Sequence, residues 1–367
     1  MSSPIRIVMA GGGTAGHTSP LIATAEQLRE LAEVEILCVG TPKGLESRVI
    51  PEAGLELAMI PPVPLPRRLT PELLRVPFRL RAAVNRSRAL IRQRRAQVVV
   101  GFGGYVSLPV YLAARRERVP LVVHEGNAVA GLANRIAALF TRHVVTTFPA
   151  TDLPRAQMLG LPVRAAIAGL DRAARRPQAR DAFDLPADGW VLLVSGGSQG
   201  ARSLNDATRA AVSRLLAGGV SVLHVLGPAN LTAEHVGIED PSTGARYRPV
   251  GYVDDMGAAY AAADLMLGRS GAATVMETAM TGLPTIFVPL PHGNGEQARN
   301  ADFLLNAHAA TRIDDADLNA DRLCEEVFGL FADPTRLRLM SETCRALAPS
   351  GAARALAQVV LNLAEQK

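Results

Sequence analysis

IRIVMAGGGTAGHTSPLIATAEQL, from Ile5 to Leu28, decides how the rest of this chain is read. A short apolar strand runs into a glycine-rich turn, and the periodicity predicts a helix from about Pro20. Gly11, Gly12, Gly13 and Gly16 let the backbone turn tightly and expose main-chain N–H groups without a Cβ in the way. The amino end of the following helix points at the same place, where its dipole and free amides favour an anionic or strongly hydrogen-bonding ligand. His17, beside the turn, is a side chain that can exchange a proton near neutral pH. Gly11 to Gly16 also match G-x-G-x-x-G by letter, but a nicotinamide-binding fold places an acidic residue at the end of the second strand. Here that strand, Val34 to Gly40, ends in Gly40 and Thr41, with Glu35 at its start. The pattern argues against a dehydrogenase.

A chain of 367 residues, 48% hydrophobic and 20% charged, is long enough for two domains with full cores. Cys38, Cys324 and Cys344 are too widely separated for a disulfide framework or a metal cluster, and a reducing cytoplasm fits them. No secretion signal is recognised, and no stretch approaches the ~18 apolar residues of a membrane span. The net charge of +5 is unevenly placed: residues 1–164 carry 21 Lys+Arg against 11 Asp+Glu, and the remainder 18 against 23.

Pro42 to Ala58 reads as a helix and its connection. The six prolines from Pro61 to Pro77 then forbid a long regular element. Arginine accumulates from Arg67 and Arg68 through Arg75 and Arg79 to Arg95, interleaved with Leu73, Leu74 and Phe78. Such a stretch suits an anionic bilayer surface, each basic residue contributing on the order of 1 kcal/mol. It also suits a solvated basic helix whose Leu80, Val84 and Ile91 face the core. Nucleic acid is disfavoured, because aromatics other than Phe78 and any recognised motif are missing.

The arrangement of strand, polar turn and helix recurs at Val98–Val100 with Gly101, Gly103 and Gly104, and at Leu121–Val123 with the turn His124 to Asn127. Repetition of this kind predicts a parallel sheet with its turns clustered at the carboxyl edge. Tyr105, His124, Glu125 and Asn127 then share the edge that carries His17; Glu125 also reads as a capping carboxylate and Asn127 as an ordinary turn residue. A linker with Gly160, Pro162 and Gly169 follows, and its Arg164 is placed to bind a diphosphate in bidentate fashion. The pattern restarts at Val191–Val194 with the turn Ser195 to Gly200, which argues for two similar nucleotide-fold domains facing each other. Strand Leu265–Leu267 enters a turn of small residues, Gly268 to Ala273. Amides around Ser270 to Thr274 are suited to cradle phosphate without a metal, and Glu277 to accept two hydrogen bonds from vicinal ribose hydroxyls. Glu296 and Gln297 open a later helix.

With GGGTAGH, GFGGYVS, HEGN, GLPVR, GGSQGA, the DDM of GYVDDM, RSGAATVME and EQARNA in order, the chain resembles the MurG-type undecaprenyl-diphospho-muramoylpentapeptide N-acetylglucosaminyltransferases over essentially its whole length. The resemblance implies an α/β GT-B fold, two Rossmann-like parallel-sheet domains facing across a cleft. Residues 1–163, rejoined by a final helix from about 351 to 367, would be the acceptor and membrane-facing domain, and residues 164–350 the UDP-N-acetylglucosamine domain. It further implies Thr14, Ala15, Gly16 and Asn127 at the sugar end of the donor, and Arg164 and Ser198 at the diphosphate. Val253 would contact uracil through its backbone; Ala272, Ala273, Thr274, Val275, Met276 and Glu277 would hold phosphate and ribose, and Gln297 the sugar.

The implied reaction moves N-acetylglucosamine from UDP to the C4 hydroxyl of N-acetylmuramic acid in undecaprenyl-linked lipid I, with inversion, giving lipid II. His17 is the candidate base and Glu125 its substitute, with Tyr105 on the acceptor side. No Asp-x-Asp motif stands where a metal would be held, so neither metal nor cofactor is expected. A lipid-linked acceptor implies a peripheral protein on the cytoplasmic face of the membrane, docked through Leu73, Leu74, Arg75, Phe78 and Arg79. Departures from the family pattern are Ala15 for a usual glycine, Gly126 for glutamine, Leu161 for asparagine and Glu296 often for glutamine. The competing readings are another GT-B UDP-sugar transferase, a UDP-N-acetylglucosamine epimerase, a dinucleotide oxidoreductase, and a binding module that turns nothing over.

Overall fold

The computed structural model describes residues 3–63, 75–292 and 294–366. Leu73 and Leu74, with Arg67 and Arg68, lie outside the described residues. The chain divides into two compact units, Met1–Arg164 with Pro349–Lys367, and Ala165–Ala348.

The first unit is built on seven parallel strands: β1 Ile5–Ala10, β2 Val34–Gly40, β3 Glu56–Met59, β4 Val98–Gly101, β5 Leu121–Glu125, β6 His143–Thr146 and β7 Ala156–Met158. Their spatial order is β3-β2-β1-β4-β5-β6-β7, so the order reverses between β1 and β4, where doubly wound sheets bind their ligands. The two-residue period of β1 sends Ile7 and Met9 to one face and Val8 and Ala10 to the other. Ile7 and Met9 meet the helix Ala15–Leu31 and the last helix, Ala352–Glu365, through Leu21, Leu28, Leu356 and Val360. Val8 and Ala10 meet Val84, Ile91 and Val110.

The second unit repeats the plan with β8 Trp190–Ser195, β9 Val220–Val225, β10 Ile238–Glu239, β11 Arg246–Val250, β12 Leu265–Gly268, β13 Thr285–Phe287 and β14 Ala310–Arg312. The order is β10-β11-β9-β8-β12-β13-β14, parallel except for the β10–β11 pair. The reversal falls between β8 and β12. This is the expected α/β class with two Rossmann-like sheets.

Local expectations needed three corrections. The first helix begins at Ala15, not Pro20, and Pro20 lies inside it. The proline removes one amide, which would have served Gly16 O, and the remaining bonds carry the helix through. Residues from Pro42 to Ala58 include not only a helix, Glu46–Glu52, but the start of a strand, β3, whose partner β2 supplies the pairing that a four-residue segment cannot signal alone. His124 and Glu125 belong to β5, not to the turn after it.

Each sheet buries one histidine. His124 Nε2–H donates to Gly160 O at 3.0 Å, and burial pushes its pKa down to about 4. His224 on β9 lies 3.0 Å from Tyr247 Oη and 3.1 Å from Asn205 Oδ1, and burial again pushes it down to about 4. An unfolded histidine takes up its proton near pH 6.5, so between about 6.5 and 4 the unfolded chain binds protons that the native chain refuses. Stability is therefore full above this window and is lost as pH falls through it, by about 3 kcal/mol for each histidine at 1.4 kcal/mol per unit. The expected outcome is a melting temperature that drops between pH 7 and pH 4.5. His224→Gln, which does not titrate, makes that drop shallower, and an unchanged slope in this variant would rule His224 out as a source.

Candidate functional site

The first corner lies at the β1–β4 reversal. Gly13 takes φ +90, Thr14 is extended, and the helix Ala15–Leu31 starts with no side-chain cap. His17, in the first turn of that helix, places Nδ1 3.0 Å from Gly12 O and 3.2 Å from Thr14 Oγ1. A carbonyl only accepts, so the neutral ring is assigned its proton on Nδ1 and its lone pair on Nε2. The turn after β4 closes over the ring. A Cβ on Gly104, already at φ +82, would lie 2.4 Å from Gly12 O and 3.2 Å from His17 Nδ1. Only glycine fits between the two turns there.

Beneath this corner sits a residue that sequence reasoning missed. Glu46, fully buried, accepts from Gly13 N at 2.9 Å, Thr41 N at 3.0 Å and Thr41 Oγ1 at 2.9 Å. Because the Thr41 hydroxyl donates to Glu46, the Tyr105 phenol donates to Thr41 Oγ1, at 2.8 Å. An anionic or strongly hydrogen-bonding ligand at this turn has one amide fewer to meet than expected. The Gly13 amide is already taken, and a buried carboxylate lies behind it. No local pattern marks Glu46, which opens a short surface-reading helix; the glycines at 12, 40 and 44 are the trace it leaves, since a Cβ on any of them would lie within 2.6 Å of its side chain.

Glu125 is also buried and engaged. Its oxygens accept from Asn127 N, Gly131 N and Asn134 Nδ2, each at 2.9 Å. Tyr111 Oη donates to Asn134 Oδ1 at 2.8 Å and accepts from Gly103 N at 3.1 Å, which joins the turns after β4 and β5. Glu125 thus clamps the turn that carries Asn127, whose carbonyl accepts from Thr151 Oγ1. Arg164 is exposed, and its charge reaches Glu26, whose carboxyl burial holds above the usual range with Arg164 opposing.

On the helix Val76–Gln93 the residues Val84, Leu90 and Ile91 are buried, and Leu80 packs on the same core. Phe78 is 76% exposed, Arg75 is exposed and Arg79 half-buried. Arg88 and Arg92 donate to Glu117 at 2.6 and 2.5 Å, and Arg94 pairs with Glu56, so part of the basic charge is neutralised in place.

The second unit has its corner at the β8–β12 reversal. Ser198 is exposed in the turn before the helix Arg202–Ala217, and Gly200 at φ +76 approaches Leu226 O too closely for a side chain. The helix Ala272–Thr281 starts after Gly271 with no side-chain cap and no acidic residue in its first turn. Elsewhere in this unit Asp171, Asp255, Asn319 and Asp333 cap their helices by accepting from the backbone three residues on. The helix at Ala272 starts without such a cap, as does the one at Ala15. Val275 and Met276 send their side chains into the core. Glu277 accepts from Tyr260 Oη at 2.7 Å. Gln297 is tied to the same turn, its carbonyl accepting from Ser270 Oγ at 2.8 Å and its Oε1 from Leu290 N at 3.1 Å. Val253 is buried beside the half-exposed Tyr252. Arg269, missed in the sequence because it stands inside a run of small residues, is buried. It straps Asp315 Oδ1 at 2.5 Å, Ser203 Oγ at 2.9 Å and the carbonyls of Val288 and Pro289.

The model of the glycosyltransferase family 28 N-terminal domain matches residues 7–146, and that of the family 28 C-terminal domain matches residues 191–358. The UDP-N-acetylglucosamine–N-acetylmuramyl-(pentapeptide) pyrophosphoryl-undecaprenol N-acetylglucosamine transferase of Cutibacterium acnes is 54% identical, over 98% of this chain and 98% of that protein. The enzyme of the same name from a Nocardioides species is 53% identical, again over 98% of each. Among solved structures, the crystal structure of Acinetobacter baumannii MurG superposes with a TM-score of 0.78 at 27% identity, covering 98% of this chain and all (100%) of that one. The glycotransferase of kitacinnamycin, 18% identical with a TM-score of 0.73 over 99% of this chain and 100% of its own, shares the fold. The chain belongs to glycosyltransferase family 28, with the GT-B fold, and within it to the MurG-type N-acetylglucosaminyltransferases.

Proposed function

We infer that this chain moves N-acetylglucosamine from UDP-N-acetylglucosamine to the muramoyl sugar of undecaprenyl-linked lipid I, giving lipid II. The observation that carries the chemistry is the contrast between the two corners. In one, a histidine is held with its Nε2 lone pair as the basic atom; in the other, an uncapped helix start stands one and a half turns before a carboxylate. His17 Nε2 takes the proton of the C4 hydroxyl as that oxygen attacks the anomeric carbon. The bond from the anomeric carbon to the UDP oxygen breaks with its electron pair on UDP, and the configuration inverts. The amides of Ala272, Ala273 and Thr274, with Ser198 and Arg164, stabilise the charge that develops on the diphosphate. Glu277 receives the ribose hydroxyls, the Val253 backbone the uracil, and Gln297 the sugar. Thr14, Ala15, Gly16 and Asn127 meet the sugar from the first unit, with Tyr105 on the acceptor side. The engagement of both Glu125 oxygens by three donors supports a role in holding Asn127 in place and the reading of His17 as the base.

The first unit is the acceptor and membrane-facing one and the second the donor unit. No helix among the described residues is long and apolar enough to cross a membrane. The exposed Phe78, with Arg75 and Arg79, supports docking on the anionic cytoplasmic face.

Transfer of labelled N-acetylglucosamine to a lipid I analogue tests the reaction. His17→Ala is expected to keep donor binding and lose about 10²–10⁴ in kcat, the usual contribution of a general base. Glu277→Ala is expected to raise the donor KM by about tenfold, one charged hydrogen bond's worth. Wild-type protein that binds the donor and glycosylates no lipid-linked acceptor would refute the assignment. For docking, Phe78→Glu is expected to weaken binding to anionic vesicles by about tenfold, from one lost aromatic insertion. Equal binding by wild type and variant would remove Phe78 from the membrane surface.

A further inference from the structure

The peptide between Gly12 and Gly13 carries a hydrogen bond at each end. Its carbonyl accepts from His17 Nδ1 at 3.0 Å, and its amide donates to Glu46 Oε2 at 2.9 Å. One planar, conjugated group thus stands between a buried carboxylate and the imidazole. We propose that Glu46, the Gly12–Gly13 peptide and His17 act as a relay: the carboxylate, through the peptide, holds the imidazole in its Nδ1–H form and stabilises the charge the ring gains at Nε2. Glu46 is then a positioning residue for proton transfer, and the proposal rests on the reading of His17 as the base.

The three hydrogen bonds that Glu46 makes to Gly13 and Thr41 all come from donors, which is the pattern of an ionised carboxylate. Those partners are uncharged, so its field is met by dipoles inside a low-dielectric interior, where hydrogen bonds in series strengthen one another. In a Ser-His-Asp triad the carboxylate touches the imidazole itself and fixes its tautomer. Here one amide is interposed, and the same two effects pass through it. The space for this is built in. A Cβ on Gly12 would lie 2.6 Å from the Glu46 carboxyl carbon, and one on Gly104 would lie 2.4 Å from the Gly12 carbonyl oxygen.

The other titratable groups around the ring do not take this role. His124, from β5, is uncharged near neutral pH because burial pushes it down to about 4. Glu125, also on β5, spends its oxygens on Asn127, Gly131 and Asn134. Tyr105, in the turn after β4, joins the relay from behind by donating to Thr41. During reaction Nε2 gains the acceptor's proton, Nδ1 keeps its own, and no proton passes to Glu46.

The base works as neutral imidazole, so the rate falls as pH drops through the pKa of the ring. A negative charge behind the ring raises that pKa, and its removal lowers it. In the full-length protein assayed with UDP-N-acetylglucosamine and a lipid I analogue, Glu46→Gln is expected to move the acid limb of kcat/KM down by about one pH unit and to lower the plateau, while Glu46→Asp, which keeps the charge, leaves the limb near its wild-type position. An active Glu46→Gln variant with an unmoved limb overturns the relay and leaves Glu46 a clamp of the turn. Should Glu46→Gln fail to fold, ¹⁵N NMR of histidine-labelled wild type decides, with His17→Gln giving the assignment. Neutral His17 protonated on Nε2 overturns the relay; with Nδ1 protonated, a ring pKa above the ordinary histidine value supports it and one below overturns it. Failure of the underlying reading is distinct: His17→Gln would then turn over at the wild-type rate.

Discussion

In a parallel sheet built from right-handed crossovers, every strand delivers its chain to the same edge, and every following helix starts there. The rest of this molecule depends on that constraint. It brings the turns after β1, β4 and β5 together in one unit, and those after β8, β12 and β13 together in the other, from residues far apart in sequence. Each reversal of strand order then opens a corner lined by backbone amides. Topology alone makes the two corners equivalent.

Buried side chains make them different. In the first unit Glu46 takes the Gly13 amide and sets its buried carboxylate behind the turn. In the second unit the helix beginning at Ala272, like the one beginning at Ala15, has no acid in its first turn and no side-chain cap. The two turns thus differ in what stands behind them. The arginines of the helix Arg172–Ala182 support the second corner at a distance: Arg172 donates to the carbonyls of Tyr260, Ala263 and Gly282, and Tyr260 in turn holds Glu277.

What could be read in the sequence was what short-range physics determines. Apolar runs such as Val98–Val100 and Val191–Val194 declare buried parallel strands, and the glycine clusters declare the turns. Their grouping at one edge followed from topology. Short edge strands such as β3 and β14 were not legible, because pairing with a neighbour, not composition, makes them strands. Glu46, Asn134 and Arg269 were not legible for a related reason: each works through contacts with residues distant in the chain, and each reads locally as a surface polar group.

The G-x-G-x-x-G match at Gly11 to Gly16 shows where such a motif loses its meaning. In a dinucleotide fold its glycines let a pyrophosphate approach the backbone. Here Gly12 is bare because a carboxylate approaches from within the protein, and Gly104, outside the motif, is bare because a carbonyl and an imidazole fill the space above it. The letters record that something comes close to the main chain. Which side it comes from decides the sign of the site, and that is set by Glu46, more than thirty residues downstream. At Gly13 the amide is claimed by that carboxylate, so glycine-rich letters do not by themselves make a phosphate cradle.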